Sequence, residues 1–182
     1  MMDRYVALLR GINVGGHKKV PMADLKALMA ELGFDDVKTL LNSGNVIFSG
    51  PESETQLVEK QLAEAVEEKF GFAVPILVRH AEQLMAIEQL DPFQQIDVTK
   101  DIRRYVSFLK SKPDHAPDLP WESDDGSFKI VSETDGAVFS VLDLSIAGTP
   151  DAMKALEQLY GKDITTRNWK TAEKIIKLLY VK

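Results

Sequence analysis

The chain has 182 residues, 45% of them hydrophobic, which is enough for one large domain or for two small ones of roughly 90 residues each. It has no cysteine, which excludes disulfides, thiolate metal sites and cysteine nucleophiles, and its net charge of −6 argues against a generally basic nucleic-acid binder. No apolar run approaches the ~20 residues of a membrane helix and the N-terminus lacks a signal-peptide pattern, so the sequence predicts a soluble cytoplasmic protein.

Residues 1–79 predict the element order β-α-β-β-α-β. The continuous apolar run Tyr5–Leu9 is typical of a central strand that is covered on both faces. An amphipathic helix follows, and two short apolar runs on either side of Asn42–Asn45 predict a hairpin. A long helix over Glu52–Phe70 and an edge strand at Val74–Val78, where a proline removes a backbone donor, complete the order. This order is that of a ferredoxin-like antiparallel sheet.

Residues 80–182 predict a second α+β half. After a short helix, alternating apolar residues predict a strand at Ile102–Lys110, and the loop beyond it is expected to contain one helical turn at Leu119–Glu122. Two strands joined by a tight turn follow, and then a helix. Thr166 is predicted to cap a last helix over Arg167–Val181. The predicted fold class is therefore α+β, with a ferredoxin-like first half and a related second half that pack as one compact unit.

The loop after the first predicted strand has the composition of a phosphate-binding loop. Its glycines permit close backbone approach, and its lysines supply positive charge. The spacing fits neither a P-loop nor a dinucleotide fingerprint, so a β-α connection with solvated lysines is an equal alternative. The candidate ligand-binding residues here are Arg10, Asn13, Gly15, Gly16, Lys18 and Lys19.

A second polar segment lies at the predicted hairpin tip, where Asn42, Ser43 and Asn45 are candidate ligand-binding residues. Ser43 would need a nearby base to act as a nucleophile, and the sequence offers neither an adjacent histidine nor a nucleophile elbow. A turn whose side chains bond to their own backbone is the favoured alternative to catalysis.

The third polar segment is the start of the predicted last helix. Trp169 shares an apolar stripe with Ala172 and Ile176, so it is predicted to be a buried core residue. A basic face lies beside the stripe, and a helix start offers backbone donors to an anion, although a solvated basic face is the more common case. The candidate anion-binding residues are Thr166, Arg167, Asn168 and Lys170.

Three motifs resemble those of one bacterial family. The stretches Ala7-Leu-Leu-Arg-Gly-Ile-Asn-Val-Gly-Gly, Leu41-Asn-Ser-Gly-Asn-Val-Ile-Phe and Thr165-Thr-Arg-Asn-Trp resemble the family catalogued as domain of unknown function 1697. The resemblance covers nearly the whole chain and implies a compact α/β protein built on ferredoxin-like halves. It implies no activity, so the motif residues carry over as positions without roles.

The three polar segments together carry five cations and no acid, which predicts one composite anion site. The favoured hypothesis is a non-catalytic binding protein for a phosphorylated small molecule or a nucleic acid. Nucleic acid is the weaker option, because the first strand lacks the paired exposed aromatics of an RNA-recognition sheet. The alternatives are a small-molecule enzyme with a polar Asn/Ser/Arg cleft and a structural or oligomeric scaffold. The scattered histidines predict no metal site, and no cofactor is expected.

Overall fold

A computed structural model describes residues 1–181 of the chain and has a mixed α+β fold with antiparallel sheets of four and five strands. This confirms the predicted fold class. The strands are β1 (Met2–Leu9), β2 (Asp35–Leu40), β3 (Asn45–Pro51), β4 (Ile76–His80), β5 (Ile102–Leu109), β6 (Trp121–Glu122), β7 (Phe128–Thr134), β8 (Ala137–Asp143) and β9 (Ile164–Asn168). The helices are α1 (Met22–Glu31), α2 (Thr55–Phe70), α3 (Ala81–Leu90), α4 (Thr149–Tyr160) and α5 (Trp169–Leu179).

The first sheet has the strand order β2-β3-β1-β4, and each neighbouring pair is antiparallel. The central position of β1 is therefore confirmed, and its residues Tyr5–Leu9 are buried. β4 lies at the edge, as expected, but it begins at Ile76 instead of Val74. Pro75 accepts a hydrogen bond from the backbone of Arg10 at 3.0 Å, yet it has no N–H to return, so the ladder ends there.

Helices α1 and α2 pack with one face of this sheet, as the βαββαβ order predicts. The aromatic rings of the core interlock, since Phe48 stacks on Tyr5 at a centroid distance of 5.4 Å and meets Phe34 edge-on at 4.8 Å. The core contains Tyr5, Ala7 and Leu9 of β1, Leu25 and Met29 of α1, and Val58, Leu62 and Val66 of α2.

The second sheet has the strand order β6-β7-β8-β5-β9. Four of its strands, β7-β8-β5-β9, repeat the order β2-β3-β1-β4 of the first sheet, so the predicted relation between the halves is confirmed. The helical turn predicted at Leu119–Glu122 is wrong. Trp121 and Glu122 instead form β6, because their backbone pairs with Ile130 and Lys129 of β7.

The start of the last predicted helix is also wrong. Thr165, Thr166 and Arg167 belong to β9, where they pair with Phe108, Ser107 and Val106 of β5. The β-branched run that opens this segment favours an extended backbone, and pairing with a central strand stabilises it. The helix begins at Trp169, and Asn168 caps it: the Asn168 Oδ1 accepts the backbone N–H of Lys170 at 3.0 Å.

The chain divides into two compact units. The first unit comprises Met1–Ala86 together with residues 175–181, and the second comprises Ile87–Lys174. Within the first unit, the guanidinium of Arg4 donates to the carbonyl oxygens of Leu178, Leu179 and Val181, which caps the C-terminus of α5. Among the helices of residues 1–181, none is both long and apolar enough to cross a membrane.

Candidate functional site

The glycine-containing loop after β1 folds back on itself as a small hairpin. Val14 and His17 form a two-residue bridge, and the backbone N–H of His17 donates to the carbonyl of Val14 at 3.0 Å. Gly15 and Gly16 between them have φ of 59° and 77°, the backbone of a type I′ turn, which glycine adopts without steric cost. The loop is therefore an ordered turn, and both glycines are exposed at its tip.

Asn13 ties this loop to the hairpin tip between β2 and β3. Its Nδ2 donates to the carbonyl oxygens of Val20 at 2.9 Å and Asn42 at 2.7 Å, and its Oδ1 accepts the backbone N–H of Val20 at 2.8 Å. Both amide donors and one acceptor position are thus used within the protein. The side chain of Asn13 therefore positions the loop, and it has little capacity left for a ligand.

The Asn13→Asp variant should lose about 2 kcal/mol of unfolding free energy, because a carboxylate cannot donate to the two carbonyl oxygens and leaves them unsatisfied. Denaturant unfolding measures the loss. Asn42→Asp is the matched control, since the exposed side chain of Asn42 makes no such bonds, and its loss should stay within about 0.5 kcal/mol. Equal losses in the two variants would contradict the positioning role of Asn13.

The hairpin tip is held close to the loop by its own residues. Gly44 accepts a hydrogen bond from the backbone N–H of Leu9 at 2.9 Å. The buried Asn45 donates through Nδ2 to the carbonyl of Leu40 at 2.8 Å and to the Oγ of Ser43 at 3.0 Å. These bonds agree with the turn alternative for this segment. The side chain of Asn42 alone among the predicted tip residues is both exposed and a member of a cavity wall.

That cavity, which we term the loop cavity, has a volume of about 330 Å³. It lies at the start of α1, whose first turn has no side-chain cap. Lys19 lines it and is exposed, whereas the exposed Lys18 donates through its Nζ to the carbonyl of Ala73 at 3.4 Å. Neither lysine forms an ion pair with any group in residues 1–181. The lining thus combines one cation, amide groups and glycine backbone. Its residues are Asn13, Gly16, Lys19, Val20, Pro21 and Asn42.

The third predicted segment lies in the second unit. Thr166 and Arg167 belong to strand β9, and Asn168 caps the start of α5. Thr166 shares a hydrogen bond with the Oγ of Ser107 at 2.8 Å. Arg167 is buried with 8% of its surface exposed, and burial lowers the pKa of its guanidinium to about 10. Arg167 therefore does not belong to the predicted basic face of the helix. Lys170 does, because it is an exposed residue of α5.

Asn168 and Lys170 line a second cavity, of about 360 Å³, which we term the strand-end cavity. Its other cations are Lys100, Arg103 and Arg104, which the sequence reasoning missed. The signal for them was present, since three cations fall within five residues where β5 is predicted to begin. The structure therefore brings the first two predicted segments together in the first unit. The composite site of all three segments stays a prediction.

These features describe an α+β protein with a ferredoxin-like strand order and with polar residues lining its two cavities. Within residues 1–181, no three histidine or acidic side chains are grouped so that they could hold a metal ion. The chain belongs to the family described as protein of unknown function, DUF1697, whose profile matches residues 2–139.

Among solved structures, the chain is similar to a conserved bacterial protein, SP0830, from Streptococcus pneumoniae. The two sequences are 26% identical, the match covers 98% of this chain and 99% of that chain, and the TM-score is 0.70. No curated protein matches the chain.

Proposed function

We propose that the protein is a non-catalytic binding protein for an anionic partner, a phosphate-bearing small molecule held in the loop cavity. The observation that carries this proposal is the lining of that cavity. Lys19 supplies a cation, Asn42 supplies an amide, and Gly16 supplies backbone without a side chain. Phosphate groups are bound in this way, by a positive charge together with hydrogen-bond donors that can approach the phosphate oxygens closely.

The electrostatics of the loop support the same partner. Lys18 and Lys19 follow His17 directly, and all three side chains are exposed. The first turn of α1 adds the positive end of a helix dipole, and no side-chain cap bonds its backbone N–H groups, because the N-cap residue is Pro21. Asp24 is the acid of that first turn, and it does not line the cavity. An anion would therefore meet a net positive surface there.

Five of the predicted site residues fall into two groups under this proposal. Lys19 and Asn42 contact the ligand directly, together with the backbone of Gly16. Asn13 and Asn45 hold the two loops in register through the hydrogen bonds that their amides already make. The polar residues of the second group thus have a structural role, and they support the site without binding the ligand themselves.

Replacement of Lys19 by glutamine tests the proposal. We expect Lys19→Gln to bind AMP roughly tenfold more weakly than the parent, because about 1.4 kcal/mol is lost with one charge-assisted hydrogen bond. Calorimetric titration at fixed ionic strength measures the affinity. Lys26→Gln is the matched control, since Lys26 is an exposed lysine of α1 outside the cavity, and it should bind AMP like the parent.

Two further results would decide against this assignment. If Lys19→Gln and Lys26→Gln bind AMP equally well, the loop cavity is not the site. A single-stranded oligodeoxythymidine in place of AMP separates the partner classes. If it binds more tightly than AMP, with an affinity that falls steeply as salt rises and falls again in Lys19→Gln, the partner is a nucleic acid and not a small molecule.

A further inference from the structure

The strand-end cavity in the second unit is a second concentration of positive charge. Its wall includes Lys100, Arg103, Arg104 and Lys170, with Asn168 as a polar neighbour and Val98 as an apolar one. We propose that this cavity is a binding site for a phosphomonoester, separate from the loop cavity and made of different residues. The proposal does not depend on the function assigned to the first unit.

The geometry of the second sheet creates this cavity. β5 begins at Ile102, whereas its pairing with β9 ends at the pair Tyr105 and Asn168. The chain then turns into α5, so the first residues of β5 extend past the last paired residue of β9. Arg103 and Arg104 come from this extension, and Lys170 comes from the first turn of α5. Residues more than sixty positions apart in the chain therefore share one concavity.

The two arginines are fixed by contacts that leave donors available. The Nη1 of Arg103 donates to the carbonyl oxygens of Lys100 at 2.8 Å and Ile102 at 3.2 Å. The guanidinium carbon of Arg104 lies 5.8 Å from the ring centroid of Phe93, in cation–π geometry. A guanidinium carries five N–H donors, so most donors of each group stay open to a ligand. Arginines held in place before binding lose less entropy when they bind an anion.

The four cations have no carboxylate partner in the part of the chain that the structure describes. None of Lys100, Arg103, Arg104 and Lys170 forms an ion pair within residues 1–181. Acids do occur nearby in the sequence, at Asp97, Asp101 and Glu173, but none of them lines the cavity. Like charges that share one concavity repel each other, and a bound anion relieves that repulsion.

Charge and size together indicate the class of ligand. A phosphomonoester is largely dianionic near neutral pH, which suits several cations better than a carboxylate does. The cavity volume of about 360 Å³ lies in the lower part of the range for small-molecule sites, roughly 300–1,000 Å³. It therefore has room for more than the phosphate group. Val98, with 58% of its surface exposed, offers an apolar wall for the organic part.

The test uses phenyl phosphate as the probe and the double variant Lys100→Gln/Lys170→Gln. Both lysines are exposed, so their replacement should preserve the fold. We expect the affinity to fall about tenfold for each lysine, or about a hundredfold in the double variant, at fixed ionic strength. The matched control is Lys112→Gln/Lys154→Gln, which removes the same charge from exposed positions of the same unit outside the cavity. It should bind like the parent.

Amide chemical shifts locate the bound probe. In the parent protein, phenyl phosphate should shift the backbone resonances of Thr99–Arg104 and of Asn168–Lys170. Shifts confined to Gly15–Lys19 and Asn42, or equal affinity in the two double variants, would overturn the proposal. These outcomes also separate the two sites, because Lys19→Gln tests only the loop cavity and Lys100→Gln/Lys170→Gln tests only the strand-end cavity. Either proposal can fail while the other stands.

Discussion

The Gly44→Ala variant should lose roughly 3–5 kcal/mol of unfolding free energy, for two reasons that add. Gly44 has a φ of 90°, which a residue with a side chain adopts only under strain. A Cβ at this position would also lie 2.7 Å from the Cδ1 of Ile12 and 2.8 Å from the Cβ of Leu9, both inside the contact distance of carbon atoms. Ile12 and Leu9 are buried, so neither can move away at low cost.

Gly16→Ala separates these two contributions. Gly16 has a φ of 77°, close to that of Gly44, but a Cβ there would meet no atom within 4 Å. Its replacement should therefore cost only the backbone strain, about 1 kcal/mol. Urea unfolding of the two variants gives both values. If Gly44→Ala lost no more than Gly16→Ala, the close approach of the hairpin tip to the loop would be contradicted.

The role of Gly44 shows how the first unit follows from its sequence. The unbroken apolar run Tyr5–Leu9 predicted a central strand, and the polar stretch Asn42–Asn45 between apolar runs predicted a hairpin. Both are local signals, and both are confirmed. The contact between that hairpin and the loop after β1 joins residues that are far apart in the chain. The sequence therefore identified each polar segment as a candidate, but it could not show that Asn13 links the two segments.

The second unit shows where a periodic pattern misleads. The apolar stripe of α5 has a period that can be extended back to Arg167, so the helix was predicted to begin there. The extended backbone of Ile164–Asn168 depends on pairing with β5, which lies about sixty residues earlier in the chain. A pattern within the segment itself cannot show which strand it pairs with. The β-branched residues Ile164, Thr165 and Thr166 were the signal that favoured a strand.

The same limit applies to the candidate sites. Charge runs at His17–Lys19 and at Lys100–Arg104 are visible in the sequence, and each marks one wall of a cavity. The opposite walls come from parts of the chain that are distant in sequence: Asn42 of the loop cavity lies in the turn between β2 and β3, and Lys170 of the strand-end cavity lies in the first turn of α5. The sequence therefore indicates the cations of a site more readily than the residues that face them.

The Trp169→Ala variant should lose roughly 3–5 kcal/mol of unfolding free energy, the range for truncation of a large buried aromatic side chain. The predicted burial of Trp169 is confirmed, with 5% of its surface exposed. Its ring meets Phe93 edge-on at a centroid distance of 5.1 Å and Phe139 at 6.2 Å, and the two phenylalanine rings meet each other at 5.9 Å. Removal of the indole would leave a cavity at the centre of this three-ring cluster.

Trp121→Ala is the matched control for Trp169→Ala, because it removes the same side chain from the same unit. Trp121 is half-buried and has one aromatic neighbour, Phe128, at a centroid distance of 6.4 Å. Its replacement should therefore cost about 1–2 kcal/mol, since less apolar surface returns to water. Far-UV circular dichroism during urea unfolding suits both variants, as it does not depend on tryptophan fluorescence. A loss for Trp169→Ala of only a few tenths of a kcal/mol would mean that the ring is exposed in solution, and would contradict its role in the core.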